Sequence, residues 1–117
     1  MEPQLVEIRD QQKASWNKFS AGWKKWDTLM MDFLKPVGDA IIQSIDLKNS
    51  DTVLDIAAGT GEPGLTIASK VTSGKVVITD LSPDMLKIAE ENDQSNKKNI
   101  IQQIARLKER RELLHLF

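Results

Sequence analysis

Three glycines within six positions, Gly59, Gly61 and Gly64, separate a β-branched run from a helix-forming one. The run Thr52-Val53-Leu54-Asp55-Ile56-Ala57 has the character of a buried parallel strand. Beyond the glycines, Leu65, Ile67, Ala68 and Val71 supply the apolar positions of a helix, with Pro63 near its first turn. Thr72-Ser73-Gly74 closes that helix, and Lys75-Val76-Val77-Ile78-Thr79-Asp80 is a second buried-type strand. Ser82-Pro83-Asp84 then caps a helix carrying Met85, Leu86, Ile88 and Ala89. Strand, helix, strand, helix is the repeating unit of a doubly wound α/β sheet.

The flanks read differently. From Gln4 to about Leu34 the large apolar residues fall at helical spacing, with Trp16, Phe19, Trp23 and Trp26 on one face and Gly22 as a candidate break. This stripe is expected to pack on the rest of the domain, or to act as a lid over a ligand. Lys35-Pro36 is expected to end the helix and start another through Val37, Ala40, Ile41 and Ile45. After Asp93, Ile100, Ile104, Leu107 and Leu114 recur among basic residues, which reads as a basic amphipathic helix. The expected divisions are a helical segment over 1–46, a strand-helix-strand-helix core over 47–95 and a basic tail over 96–117, all in one structural domain.

Length and charge narrow the functional classes. A chain of 117 residues suits a single domain, and its formal charge of -1 gives no overall field to attract nucleic acid or anionic lipid. Neither is therefore expected as a partner. Cysteine is absent, which removes disulfides, thiolate metal sites and a cysteine nucleophile. The start Met1-Glu2-Pro3-Gln4 has no secretory pattern, and no apolar stretch reaches the roughly 20 residues that span a bilayer. A cytoplasmic location is the expectation.

The glycine loop carries the chemistry. Gly59-x-Gly61-x-x-Gly64 satisfies the dinucleotide fingerprint in the required strand-to-helix context. Its glycines permit unusual dihedrals and let a ligand approach backbone amides. Asp55 ends the preceding strand and Glu62 enters the following helix, so two carboxylates would face a pyrophosphate. They suit a ligand carrying an ammonium and a sulfonium better; Glu62 could instead simply complement the helix dipole. Asp80 ends the second strand, where an acid accepts hydrogen bonds from ribose hydroxyls. Such a strand-end acid is expected to contribute little to the core, so its loss should spare the fold, and an asparagine there should do less harm to binding than an alanine.

Val53-Leu54-Asp55-Ile56-Ala57-Ala58-Gly59-Thr60-Gly61 and Val77-Ile78-Thr79-Asp80-Leu81-Ser82-Pro83-Asp84-Met85-Leu86 together resemble the class I S-adenosylmethionine-dependent methyltransferases, in particular the small-molecule and quinone-biosynthesis group. The resemblance covers Trp16 to about Asn92. It implies a Rossmann-like methyltransferase fold, in its N-terminal part only, and methyl transfer from S-adenosylmethionine to a small organic acceptor. It also implies a cofactor site of Asp55, Ala57, Gly59, Thr60, Gly61, Asp80, Leu81 and Met85. In that site Asp55 and the loop hold the methionine part, Asp80 grips the ribose, and Leu81 and Met85 flank the adenine. Ala57 stands where many members have glycine. The family continues with a third strand followed by an acidic residue near the adenine, and then with further strands; after Asn99-Ile100 this sequence shows neither that acid nor room for the remaining strands, so the fold is expected to be truncated after the second strand-helix unit.

Other readings stay open beside this one. A non-catalytic module that pairs with another chain, such as a second copy, would use the sheet edges that two strands leave bare. A nicotinamide-dependent fragment is disfavoured by Asp55 and Glu62. No catalytic residue is nominated: His115 lacks a positioned partner, no metal-ligand cluster is visible, and Asp10, Asp27, Asp32 and Asp39 read as surface charge.

Overall fold

The computed structural model of the chain describes residues 2–93 and 99–104. Its elements are α1 (Pro3–Lys25), α2 (Asp27–Ser44), β1 (Thr52–Asp55), α3 (Gly64–Ala68), β2 (Lys75–Asp80), α4 (Pro83–Asn92) and β3 (Ile100–Ile104). The three strands form one parallel sheet in the order β1-β2-β3, with Leu54 opposite Val77 and Val77 opposite Ile101. This is the N-terminal part of a Rossmann-like sheet, with β2 in its centre.

The central strand carries the core. Val76, Val77 and Ile78 are fully buried, each worth about 1.5–3 kcal/mol against exposure. Val76 and Ile78 pack with Leu65, Ile67, Ala68 and Val71 from α3 and the turn after it, and with Leu86 of α4. Ile42 and Leu47 reach the same cluster from the end of α2 and the following turn, so the N-terminal segment touches this core near its C-terminal end.

Residues 100–104 depart from the expected helix. Ile100–Ile104 is a third strand, paired along β2 from Val76 opposite Ile100 to Asp80 opposite Ile104. The physical reason is that a spacing of four is one turn of helix and also two full pleats of a strand, so the isoleucine interval fitted either period. Asn99 decides where β3 begins. Its side-chain amide donates to the Ala68 and Val71 carbonyls at 3.0 and 3.1 Å, while its own carbonyl accepts from the Val76 amide at 2.8 Å. The fold therefore does not stop at the second strand-helix unit. The tail beyond Ile104, including Leu107, Leu114 and His115, lies outside the described residues.

Three expectations for the N-terminal helices also fail. Gly22 lies within α1, and the break falls at Trp26. Pro36 sits inside α2: proline disfavours the helical conformation before it without forbidding it, and only the bond to the Asp32 carbonyl is lost. Nor is the aromatic stripe core. Trp16, Phe19 and Trp26 are 42%, 58% and 54% exposed, because α1 attaches to α4 through polar contacts. Phe19, Gly22, Trp23, Trp26, Leu29 and Met30 instead line an open apolar hollow of about 540 Å³ between α1 and α2. Among the described residues no helix is long and apolar enough to cross a membrane.

The approach of β1 to β2 rests on one glycine. A Cβ at Gly74 would lie 1.9 Å from the Asp51 carbonyl oxygen, which accepts the Lys75 amide at 3.1 Å. Gly74→Ala should therefore lower the unfolding free energy by about 2 kcal/mol or more. Urea unfolding measures it, and an unchanged midpoint would contradict this close approach.

Candidate functional site

The loop after β1 reverses direction through three residues in the left-handed region: Ala57 (φ 58), Gly59 (φ 57) and Gly61 (φ 115). Glycine takes such angles freely, whereas Ala57 carries its Cβ there at a cost of roughly 1 kcal/mol. The alanine that replaces the expected glycine thus keeps the glycine's conformation. Packing constrains the other two positions. A Cβ on Gly61 would meet Leu65 Cδ1 at 2.7 Å, and one on Gly64 would meet Asp55 Oδ2 at 2.8 Å.

Backbone bonds fix the loop against β2. The Ala58 amide donates to the Thr79 carbonyl at 2.8 Å, the Gly61 amide to the Ala58 carbonyl at 3.0 Å, and the Leu65 amide to the Gly61 carbonyl at 2.8 Å. Thr79 Oγ1 donates to the Asp55 carbonyl at 3.1 Å. Thr60 is buried at the loop's tip.

Asp80 ties this loop to the next one. Its Oδ2 accepts the Gly59 amide at 2.9 Å and its Oδ1 accepts the Ser82 amide at 2.8 Å. The residue is only 8% exposed. The expectation that its loss would spare the fold is therefore corrected, since removing it leaves two loop amides without their acceptor. A carboxylate offers about four lone-pair sites, so two acceptor sites remain after both amides are served. Met85 packs beneath the loop, its Cε 3.5 Å from where a Gly59 Cβ would stand, and Leu81 is half-buried beside Asp80. The two sequence motifs thus meet at one place.

Asp55 Oδ2 accepts the Gly64 amide at 2.9 Å. Burial raises its pKa above the ordinary aspartate value; the Gly64 amide opposes this, and the charges of Glu62 and Asp80 add to the rise. Glu62 is exposed just before α3, and its Oε2 accepts Thr66 Oγ1 at 2.7 Å and the Thr66 amide at 3.3 Å, an acceptor at the helix start. The ion pairs among the described residues involve none of Asp55, Glu62 and Asp80. The site gathers acceptor oxygens of Asp55 and Asp80 that no described basic residue pairs with, and no group of metal-ligand type is found among the described residues.

One residue was missed. Asp27, read as surface charge, is half-buried at the start of α2; its Oδ2 accepts from Asn92 Nδ2 at 3.2 Å, and that same nitrogen donates to the Thr60 carbonyl at 2.9 Å. Asp27 Oδ1 is buried with no hydrogen-bond partner. No short-range pattern links Asp27 to Asn92 and Thr60, so the sequence held no signal for it.

The raised pKa of Asp55 has a definite sign. Between the ordinary and the raised value the folded chain binds more protons than the unfolded one, so stability falls as pH rises through that window. Ionised Asp55 then opposes folding at neutral pH. Asp55→Asn keeps an oxygen for the Gly64 amide and should melt a few degrees above the parent at pH 7, with the gap closing as pH falls toward about 4. Melting curves at several pH values check this, and a variant less stable than the parent at pH 7 would contradict it.

Comparison with known proteins adds the following. A family model described as a methyltransferase domain matches residues 53–112. The release factor glutamine methyltransferase of Clostridium acetobutylicum is 34% identical over 56 residues, covering 48% of this chain and 20% of that protein. The chain thus spans about a fifth of that curated relative. Phosphoethanolamine N-methyltransferase 1 of Haemonchus contortus, solved with phosphoethanolamine and S-adenosylhomocysteine, superposes with a TM-score of 0.65 at 25% identity, over 84% of this chain and 21% of that one. An RNA methyltransferase of Salinibacter ruber, in complex with S-adenosyl-L-homocysteine, shares the fold with a TM-score of 0.55 at 22% identity, over 61% of this chain and 47% of that one.

Proposed function

The chain belongs to the methyltransferase-domain family, and from that premise we propose that it binds S-adenosylmethionine and serves methyl transfer to a small organic acceptor. The observation that carries the reading is the pair of buried-side carboxylates, Asp55 and Asp80, at a glycine-built crossover, with no cation among the described residues paired to either. Such a donor-poor, negative site favours ammonium, sulfonium and hydroxyl groups and disfavours a pyrophosphate. The cofactor, when bound, supplies a methyl group on a positively charged sulfur.

The residues divide the work by position. Asp55 and the Ala57, Gly59, Thr60 and Gly61 backbone would hold the methionine part. Asp80 would accept ribose hydroxyls with the lone pairs its two amides leave free, and Leu81 and Met85 would flank the adenine. Catalysis by a site of this kind is largely positioning and desolvation of the two reactants, and no catalytic side chain is assigned. The acceptor is read as small because a chain of net charge -1 offers no field for RNA, and because the Haemonchus contortus neighbour holds phosphoethanolamine.

Calorimetry with S-adenosylmethionine, S-adenosylhomocysteine and NAD in parallel tests the cofactor; binding of NAD alone would overturn the proposal. Asp80→Ala should weaken S-adenosylhomocysteine at least about tenfold, roughly 1.4 kcal/mol. Asp80→Asn should fare no better and should also melt lower than the parent, because its amide nitrogen would face one of the two amide donors. An asparagine variant as stable and as tight as the parent would contradict the double acceptor role.

A further inference from the structure

Ser82 is fully buried at the turn between β2 and α4, and its polar atoms connect three elements. Its amide donates to Asp80 Oδ1 at 2.8 Å. Its hydroxyl accepts the Met85 amide at 3.2 Å, capping α4, and donates its proton to Asn17 Oδ1 on α1. Asn17 Oδ1 also accepts the Asp84 amide at 3.4 Å. A hydroxyl has one proton to give, and a buried one without an acceptor is costly. Without Asn17, the Ser82 proton must stay unpaired or turn to another acceptor. Asp80, already bonded to the same residue's amide, is the carboxylate at hand. Either outcome disturbs the turn that orients Asp80 or consumes a lone pair that a ribose would use.

We propose that Asn17, from a helix 65 residues away in sequence, is a positioning residue for the ribose site, acting on Asp80 through Ser82. The inference rests on the cofactor reading above. It gives α1 a role that its exposed aromatic stripe does not: the helix reaches the cofactor turn by one polar side chain. A second α1–α4 contact, between Lys24 Nζ and Glu91 Oε2 at 2.7 Å, lies on the surface away from Ser82 and provides a control for helix docking alone.

The test measures S-adenosylhomocysteine and adenosine affinity by calorimetry, with circular dichroism on every variant. Asn17→Leu should weaken both probes about fivefold to tenfold, whereas Asn17→Asp, which keeps an acceptor for the Ser82 proton, should stay within about threefold of the parent. In a Ser82→Ala background, which removes the hydroxyl and keeps its amide, the same leucine should cost less than about twofold. Lys24→Met should bind like the parent. Should Asn17→Leu not fold, Asn17→Ala takes its place, with a loss of at least about threefold expected. Unchanged affinity in the alanine or leucine variant, a loss that persists without the hydroxyl, or an equal loss from Lys24→Met overturns the inference alone. A parent that binds neither probe overturns the cofactor reading, and this inference with it.

Discussion

Two oxygen atoms of Asp80 hold two amides, one from the glycine loop and one from the turn after β2. Parallel strands share no hairpin, so the loops leaving β1 and β2 need some bond of their own to stay in register with each other. A carboxylate at the end of β2 supplies it, and does so at the spot where charge-assisted bonds are strong because water is largely excluded. The rest of the site is arranged around that bond. Met85 closes the floor under Gly59, Ser82 extends the link to α1, and the Ala58–Thr79 bond continues the strand pairing into the loop. Asp80 is thus a structural acceptor first, and the ribose contact proposed for it would use what those two bonds leave over.

Asp55 carries a stability cost that a purely structural loop would not need. Burial and two neighbouring carboxylates hold Asp55 above its ordinary pKa, and no basic residue of the described part answers that charge. In the proposed reading, the compensating charge would arrive with a cationic ligand. Ala57 adds a smaller strain of the same kind, with a side chain placed where glycine would be relaxed.

Much of this was legible in the sequence because it depends on short-range pattern. The β-branched runs of β1 and β2, the glycine loop, the Ser82 cap and the acid at each strand end are all read from neighbours in the chain. What escaped depends on partners far apart. β3 was hidden because Ile100 and Ile104 fit either period, and only pairing along β2 distinguishes strand from helix. The aromatic stripe suggested core, yet α1 docks through Asn17 and Lys24, polar residues that carry no pattern. Asp27 and its contact with Asn92 likewise span 65 residues. Even the role of Asp80 was only half visible, since its amide partners are set by the fold of two separate loops.

The central claim is that two crossover loops, joined by Asp80, form one cofactor site. Backbone amide NMR during titration with S-adenosylhomocysteine addresses it most directly. The Gly59, Gly61 and Ser82 amides are expected to shift together along one binding curve, while Thr52 and Lys75 at the opposite strand ends stay in place. Shifts confined to the hollow around Phe19 and Trp26, or loop amides that do not respond at saturating ligand, would contradict it.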